Sequence, residues 1–369
     1  MRTQDEPRDA PRARGGDRGA GSGRPTAVAV TGASAGIGRA TAVAFARRGC
    51  RVALLARGEE GLQAARREVE AAGGEALVLP VDVADAEAVF SAADRIAGAW
   101  GGIDVWVNNA MATVFGPVQA VTPEEYKRVT EVAYLGSVHG TLAALRHMRP
   151  RDAGTIVQVG SALAYRSIPL QSAYCGAKAA MRGFTDSLRA ELIHDRSAIR
   201  LTMVQLPGVN TPQFGWWRSK FDRRHRPVGA PYQPEAAAEA VVRAAETAPR
   251  ELWVGLPVLQ AIVGTMVAPG LLDRYLAATS YDEQLSDQPA ADGPDILFAP
   301  ADRDGGTRGR FGQNALEGAW PVSAGLARGV LAAAGAGLAA AAFLAGRTVG
   351  RRERGSPLEL LRSSLPWER

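Results

Sequence analysis

The stretch TAVAVTGASAGIGRATAVAF, residues 26–45, decides the fold. A short apolar run, TAVAV, enters a turn that carries Gly32, Gly36 and Gly38. ATAVAFARRG follows it in helical style. Glycine permits the tight turn and lets backbone N–H groups come close to a pyrophosphate, and the N-terminus of the next helix adds partial positive charge. A plain tight turn is the competing reading. The position of the motif, after the first strand and before the first helix, favours the nucleotide reading.

Outward from this stretch the pattern repeats. RVALLA is a second apolar run and EEGLQAARREVEAAG a charged helix. ALVLPVDV, EAVFSAADRIAGAW and IDVWVNNA continue the alternation. GTIVQVGSA, IRLTMVQLPG and ELWVG are further strands, separated by SAYCGAKAAMRGFTDSLRAELI and PEAAAEAVVRAAE as helices. Continuous apolar strands divided by longer amphipathic helices predict an α/β chain of βαβ units around a parallel sheet of about seven strands within residues 26–280. VLQAIVGTMVAPGLLDRYLAAT is expected to pack as a terminal helical layer.

The flanks have a different texture. Residues 1–25 are rich in Arg, Gly, Asp and Pro and read as a disordered basic tail, because they cannot bury enough apolar surface to offset ordering entropy. Residues 281–314 turn Asp-, Pro- and Gly-rich and read as a flexible linker. Residues 315–369 form a C-terminal extension whose segment 329–346, GVLAAAGAGLAAAAFLAG, carries no charge.

Composition excludes little but sets the class. The chain has 369 residues, 46% hydrophobic and 22% charged, as in ordinary soluble globular proteins. The net charge of +5 comes largely from terminal arginines, and no nucleic-acid motif accompanies it. Two cysteines, Cys50 and Cys175, cannot make a disulfide framework, and MRTQDEPRDA has no apolar run. A reducing, cytoplasmic setting is the default expectation. Cys175 has no histidine as a helical neighbour and reads as a small packing residue. His139, His147, His194 and His225 show no metal-ligand spacing, so no metal is expected.

Two further positions carry chemistry. After the second strand, where NAD-preferring sites usually place Asp or Glu, this chain has Ala56 and Arg57. A guanidinium suits a 2′-phosphate through bidentate charge-assisted hydrogen bonds, so the expected cofactor is NADP(H). In SAYCGAKAA, Tyr174 and Lys178 stand four apart on one helical face. Surface chance could produce that pair, but a cation beside a phenol would also favour the phenolate and move its titration toward neutrality.

Taken together these motifs resemble the short-chain dehydrogenase/reductase family. The matching residues are TGASAGIG at 31–38, VDV at 81–83, NNA at 108–110, Ser161, Tyr174 and Lys178, and PGVNT at 207–211. Thirteen residues separate Ser161 from Tyr174. The resemblance spans roughly residues 26–280 and implies a doubly wound parallel sheet, Rossmann-like, that binds a dinucleotide at the carboxyl ends of its strands, in an oxidoreductase that interconverts an alcohol and a carbonyl. Tyr174 would be the general acid/base. Lys178 would lower its pKa and hold the nicotinamide ribose, and Ser161 would fix the substrate oxygen. Gly32, Ser34, Gly36, Ile37 and Gly38 would hold the cofactor phosphates. Asp82 and Val83 would lie by the adenine, Asn109 would line the cleft, and Pro207, Gly208, Val209 and Thr211 would cover the nicotinamide side. The resemblance also implies a homodimer or homotetramer.

Two positions depart from the family pattern. Met111 stands where NNAG would end in glycine, and Ala133 stands where many members carry an asparagine that serves a water-mediated proton relay. The alternative these departures leave open is a weakly active or inactive NADP-binding protein tethered by its extension. Residues 213–234 mix Trp216, Trp217 and Phe221 with arginines. They read either as a lid for a bulky apolar substrate with an anionic end, or as a mobile loop whose aromatics pack on the terminal helix. The 329–346 segment just reaches the length of a membrane span but is weakly apolar. Arg347, Arg351, Arg352 and Arg354 behind it would put the tail in the cytoplasm and the catalytic domain outside, which clashes with a cytoplasmic cofactor. A span, a shallow anchor, a re-entrant helix and a packing helix at an oligomer contact are the four readings.

Overall fold

The apolar runs form the spine of the molecule. The computed structural model describes residues 26–290, 295–301, 303–330 and 332–333. The 1–25 tail and most of the 329–346 segment lie outside these residues. The strands are β1 (Ala27–Thr31), β2 (Arg51–Ala56), β3 (Glu75–Pro80), β4 (Val105–Asn108), β5 (Val114–Phe115), β6 (Thr155–Ser161), β7 (Arg200–Leu206), β8 (Arg218–Ser219), β9 (Arg223–His225), β10 (Glu251–Val254), β11 (Leu285–Pro289) and β12 (Pro321–Ser323). The helices are α1 (Gly36–Ala46), α2 (Glu59–Ala71), α3 (Ala86–Trp100), α4 (Pro123–Thr130), α5 (Gly136–Met148), α6 (Ser172–His194), α7 (Pro234–Thr247), α8 (Leu256–Val267) and α9 (Pro269–Glu283).

The main sheet runs β12-β10-β7-β6-β4-β1-β2-β3. Its seven parallel strands are the seven expected from sequence. β12 adds an eighth, antiparallel to β10, at the edge. Three residues, PVS, are too short to show a period, which is why the sequence did not reveal it. From β1 the chain runs outward to β2 and β3, and from β4 it runs the other way to β6, β7 and β10, so the strand order reverses between β1 and β4 and a crevice opens at their carboxyl ends.

Burial on both faces is visible within β1. Ala27 and Ala29 join one hydrophobic cluster, and Val28 and Val30 the other. Helix ends follow local chemistry. The Asp85 side chain accepts from the Ala88 N–H at 3.1 Å and starts α3, which Gly101 ends at φ 75°. Thr122 and Glu125 form a capping box on α4, with Pro123 in its first turn. A π-helical segment, Glu131–Leu135, links α4 to α5 and holds the fully buried Ala133.

The region expected to be a linker carries defined contacts. β11 pairs antiparallel with β9, and residues 295–301 and 303–311 run as a strap over the sheet's carboxyl end. The terminal layer appears as α8 and α9, which expose Met266, Val267, Leu271 and Tyr275. Among the described residues, no helix is long and apolar enough to cross a membrane.

Candidate active site

The glycine-rich turn leaves β1 for α1 at the crevice. Gly36 has φ +57°, a region that L side chains rarely adopt, and a Cβ there would also press on Thr211. A Cβ on Gly38 would lie 2.2 Å from the Gly32 carbonyl oxygen, so only glycine lets α1 start this close to the turn. Asn109 holds the turn from the end of β4, its Nδ2 donating to the Thr31 carbonyl at 2.9 Å. The Thr31 hydroxyl accepts from the Asn109 and Ala110 N–H groups at 2.9 and 3.0 Å.

A cavity of about 530 Å³ extends from this turn. Gly32, Ser34, Gly36 and Ile37 line one end, with Arg57, Asp82, Val83 and Asn109 beside them. Ser161, Tyr174 and Lys178 line it too, together with Pro207, Gly208, Val209 and Thr211, the last lying against the turn at Gly36. Of the residues expected at a cofactor site, only Gly38 is absent from the lining; it packs beneath the turn. Met111 lines the cavity as well.

The three chemical side chains meet where β6 ends and α6 begins. Ser161 is the last residue of β6 and is buried; its Oγ accepts from the Leu163 N–H at 3.1 Å. Tyr174 and Lys178 sit one turn apart on α6. Lys178 is 2% exposed, and its Nζ donates to the Val159 carbonyl at 2.7 Å. The same Nζ lies 5.7 Å from the centroid of the Tyr174 ring.

Electrostatics here follows burial. Burial pushes the Tyr174 phenol well above its ordinary value, and a hydrogen bond with Ser161 pulls it partly back. Burial alone draws the Lys178 ammonium down to about 8. The expectation that Lys178 lowers the phenol's pKa therefore meets a larger opposing effect. A dry site disfavours each ion taken singly, and favours a phenolate only together with its ammonium.

The position expected to hold an asparagine carries no amide. Ala133 is enclosed, and its carbonyl accepts from the Ser137 hydroxyl at 3.3 Å. The 213–234 loop does form a wall: Phe214, Trp216 and Trp217 line the cavity. Its arginines turn away from the cavity. Arg218 pairs with Asp295 and Glu125, Arg224 donates to the Pro289 carbonyl, and Arg226 to the Glu283 carbonyl. The anionic end of the substrate has no partner among these three. At the substrate side the wall is apolar, with Leu163, Ile168, Trp217, Leu272 and Leu276, and Arg166 beside them bonded to Asp273.

Sequence reasoning missed two parts of this wall. Leu272, Tyr275 and Leu276 come from α9, which carried only a packing signal. Ile296, Pro300, Ala301, Arg303 and Gly305 come from the strap. The strap also meets Arg57, whose guanidinium donates to the carbonyls of Phe298 at 3.0 Å, Leu297 at 3.4 Å and Ile296. No periodicity or charge pattern in 295–311 announces those contacts. Among the described residues, no cluster of His, Cys, Asp or Glu could hold a metal ion.

Comparisons with known proteins agree with this geometry. Residues 26–220 match the family described as short chain dehydrogenase. The uncharacterized oxidoreductase YxnA of Bacillus subtilis is 33% identical over 265 residues, covering 71% of this chain and 74% of that protein. An alcohol dehydrogenase from the archaeon Thermococcus sibiricus, solved with 5-hydroxy-NADP, superposes with a TM-score of 0.55 at 28% identity, over 62% of this chain and 96% of that one. A metagenomic short-chain oxidoreductase solved with NADP gives a TM-score of 0.51 at 29% identity, over 61% of this chain and 92% of that one.

Proposed function

The chain belongs to the short-chain dehydrogenase family of oxidoreductases, and from that premise we propose that it interconverts an alcohol and a ketone or aldehyde with NADP(H). One observation carries the reading: a single cavity joins the glycine-rich turn to Ser161, Tyr174 and Lys178. The donor set suits the cofactor. A cradle closed to any Cβ at Gly36 and Gly38 is suited to a pyrophosphate, and Arg57 is a cation for a 2′-phosphate. The NADP ligands of the two similar solved structures support the same choice.

NADPH supplies the hydride when bound. The chain supplies position and the proton. Ser161 Oγ and the Tyr174 hydroxyl lie together and converge on one substrate oxygen. Tyr174 donates its proton as negative charge develops there, and Lys178 compensates the phenolate that remains. The apolar wall of Leu163, Ile168, Trp217, Leu272 and Leu276 suits a bulky apolar substrate. A groove between α5 and α6, lined by the exposed Leu142 with Leu145, Phe184 and Leu188 and edged by Arg146, Arg149 and Glu191, supports assembly as a homodimer or homotetramer. The test is NADPH consumption across a panel of aldehydes and ketones. Turnover on any member supports the proposal. Binding of NADPH with no turnover on all of them favours the tethered, inactive alternative.

Cofactor choice is tested at Arg57. In Arg57→Ala we expect NADPH affinity to fall about 10- to 100-fold, the loss of a charge-assisted pair of roughly 1.5–3 kcal/mol, with NADH affinity not reduced. Equal discrimination in wild type and variant would remove Arg57 from the cofactor site.

The pH profile has a sign. Below about 8 Lys178 is charged and balances the phenolate formed as Tyr174 gives up its proton. Above it, that balance is lost while the phenol, held high by burial, stays protonated. Carbonyl reduction should be level through neutral pH and decline as pH rises past about 8. A rate that climbs steadily from pH 7 to 9.5 would contradict this assignment.

A further inference from the structure

The strap touches the three places where the proposed cofactor's adenosine end would be held. At the turn, the Gly306 carbonyl accepts from the Gly36 N–H at 3.1 Å. At the expected 2′-phosphate position, Arg57 is taken up by the carbonyls of residues 296–298. At the adenine edge, Arg128 bridges Asp82 to the Leu297 carbonyl, the latter at 3.0 Å. Leu297 itself is 1% exposed and joins the hydrophobic cluster of Val81, Val83 and Val129. Asp304 adds an ion pair to Arg39 on α1, and Asn210 fixes the far end by accepting from Phe311 N–H at 2.9 Å. These anchors come from separate elements, so the strap is seated along its length and does not merely lie across the cleft.

We infer that the strap residues 295–301 and 303–306 are an intramolecular competitor for Arg57, and that the 2′-phosphate of NADP(H) is the group that displaces them. The inference rests on the NADP(H) reading above. The chemistry is asymmetric. Strap carbonyls are neutral acceptors, whereas a phosphate carries full charge and bonds a guanidinium more strongly. A dinucleotide with a 2′-phosphate recovers at Arg57 what it loses by opening the strap. NAD(H), with a hydroxyl at that position, must open the strap with no such return, and its apparent affinity is reduced by the fraction of molecules closed. Discrimination between the two cofactors then comes from the strap as well as from Arg57.

The experiment uses the full chain, as wild type, Leu297→Ala and Asp304→Asn. Two quantities are measured: dissociation constants for NADPH and NADH by nucleotide fluorescence, and amide hydrogen exchange of peptides covering 295–306. The second is followed with NADPH, NADH, 2′,5′-ADP or 5′-AMP at one common concentration, set at the NADPH level that fills the wild-type site and below the dissociation constant for NADH. We expect NADPH and 2′,5′-ADP to speed exchange in the strap and NADH and 5′-AMP to leave it slow. Leu297→Ala should tighten NADH about tenfold, with a smaller change for NADPH, and Asp304→Asn should act in the same direction more weakly. NADPH that binds wild type while strap exchange stays slow, or NADH affinity unchanged in both variants, overturns the strap proposal and leaves the cofactor reading standing. No NADPH binding by any of the three proteins overturns both. Binding by Leu297→Ala alone supports the strap as a complete block.

Discussion

Replacing Tyr174 by phenylalanine is expected to lower carbonyl reduction by about 10²- to 10⁴-fold, the range that a positioned proton donor contributes. The ring keeps its place on α6, so packing around Cys175 and Ala177 is undisturbed. What disappears is one hydroxyl, its hydrogen bond with Ser161 and the proton it holds. NADPH affinity should stay within a few-fold of wild type, because the glycine-rich turn and Arg57 are remote from that oxygen. The loss should appear in kcat more than in KM. A Tyr174→Phe protein that turns over a substrate as fast as wild type would end the acid/base assignment.

Lys178→Met should be nearly as damaging for a different reason. Methionine matches the lysine stem in length and fills the buried slot, but it has no donor for the Val159 carbonyl, now bonded at 2.7 Å. An orphaned buried carbonyl costs roughly 1–3 kcal/mol of stability, a modest drop in Tm that circular dichroism can follow. The larger effect is on rate. Without a cation to balance the phenolate, kcat should fall about 10²- to 10³-fold, as when one preorganised electrostatic donor is removed. If Lys178 also holds the nicotinamide ribose, KM for NADPH should rise, which separates it from Tyr174. A variant with full activity and only a lowered Tm would reduce Lys178 to a structural role.

The fold was legible where side chains repeat. TAVAV, RVALLA and GTIVQVGSA are apolar on both faces because both faces are covered, and that produces a continuous run. The candidate site was legible where one residue type is called for, as at Gly36, Ser161, Tyr174 and Lys178, which the structure brings to one cavity. Three things were not. β12 is too short for any period. The strap binds largely through backbone carbonyls, such as that of Gly306, which every residue possesses, so its Asp-, Gly- and Pro-rich sequence looks like a linker. The upward shift of Tyr174 depends on burial, and residue spacing alone carries no measure of burial. Ala133 shows the reverse case: its departure from the family pattern was legible, and the structure encloses it in a π-helical turn with Ser137 against its carbonyl.

The central claim is that this cavity passes a hydride from NADPH to a carbonyl carbon while Tyr174 provides the proton. The most direct measurement uses NADPH dideuterated at the nicotinamide C4, a carbonyl substrate from the panel, and mass spectrometry of the alcohol formed by wild type and Tyr174→Phe. The expected result is one deuterium on the carbinol carbon with wild type and almost no product with the variant. Alcohol that carries no deuterium, or equal labelled product from both proteins, would contradict it.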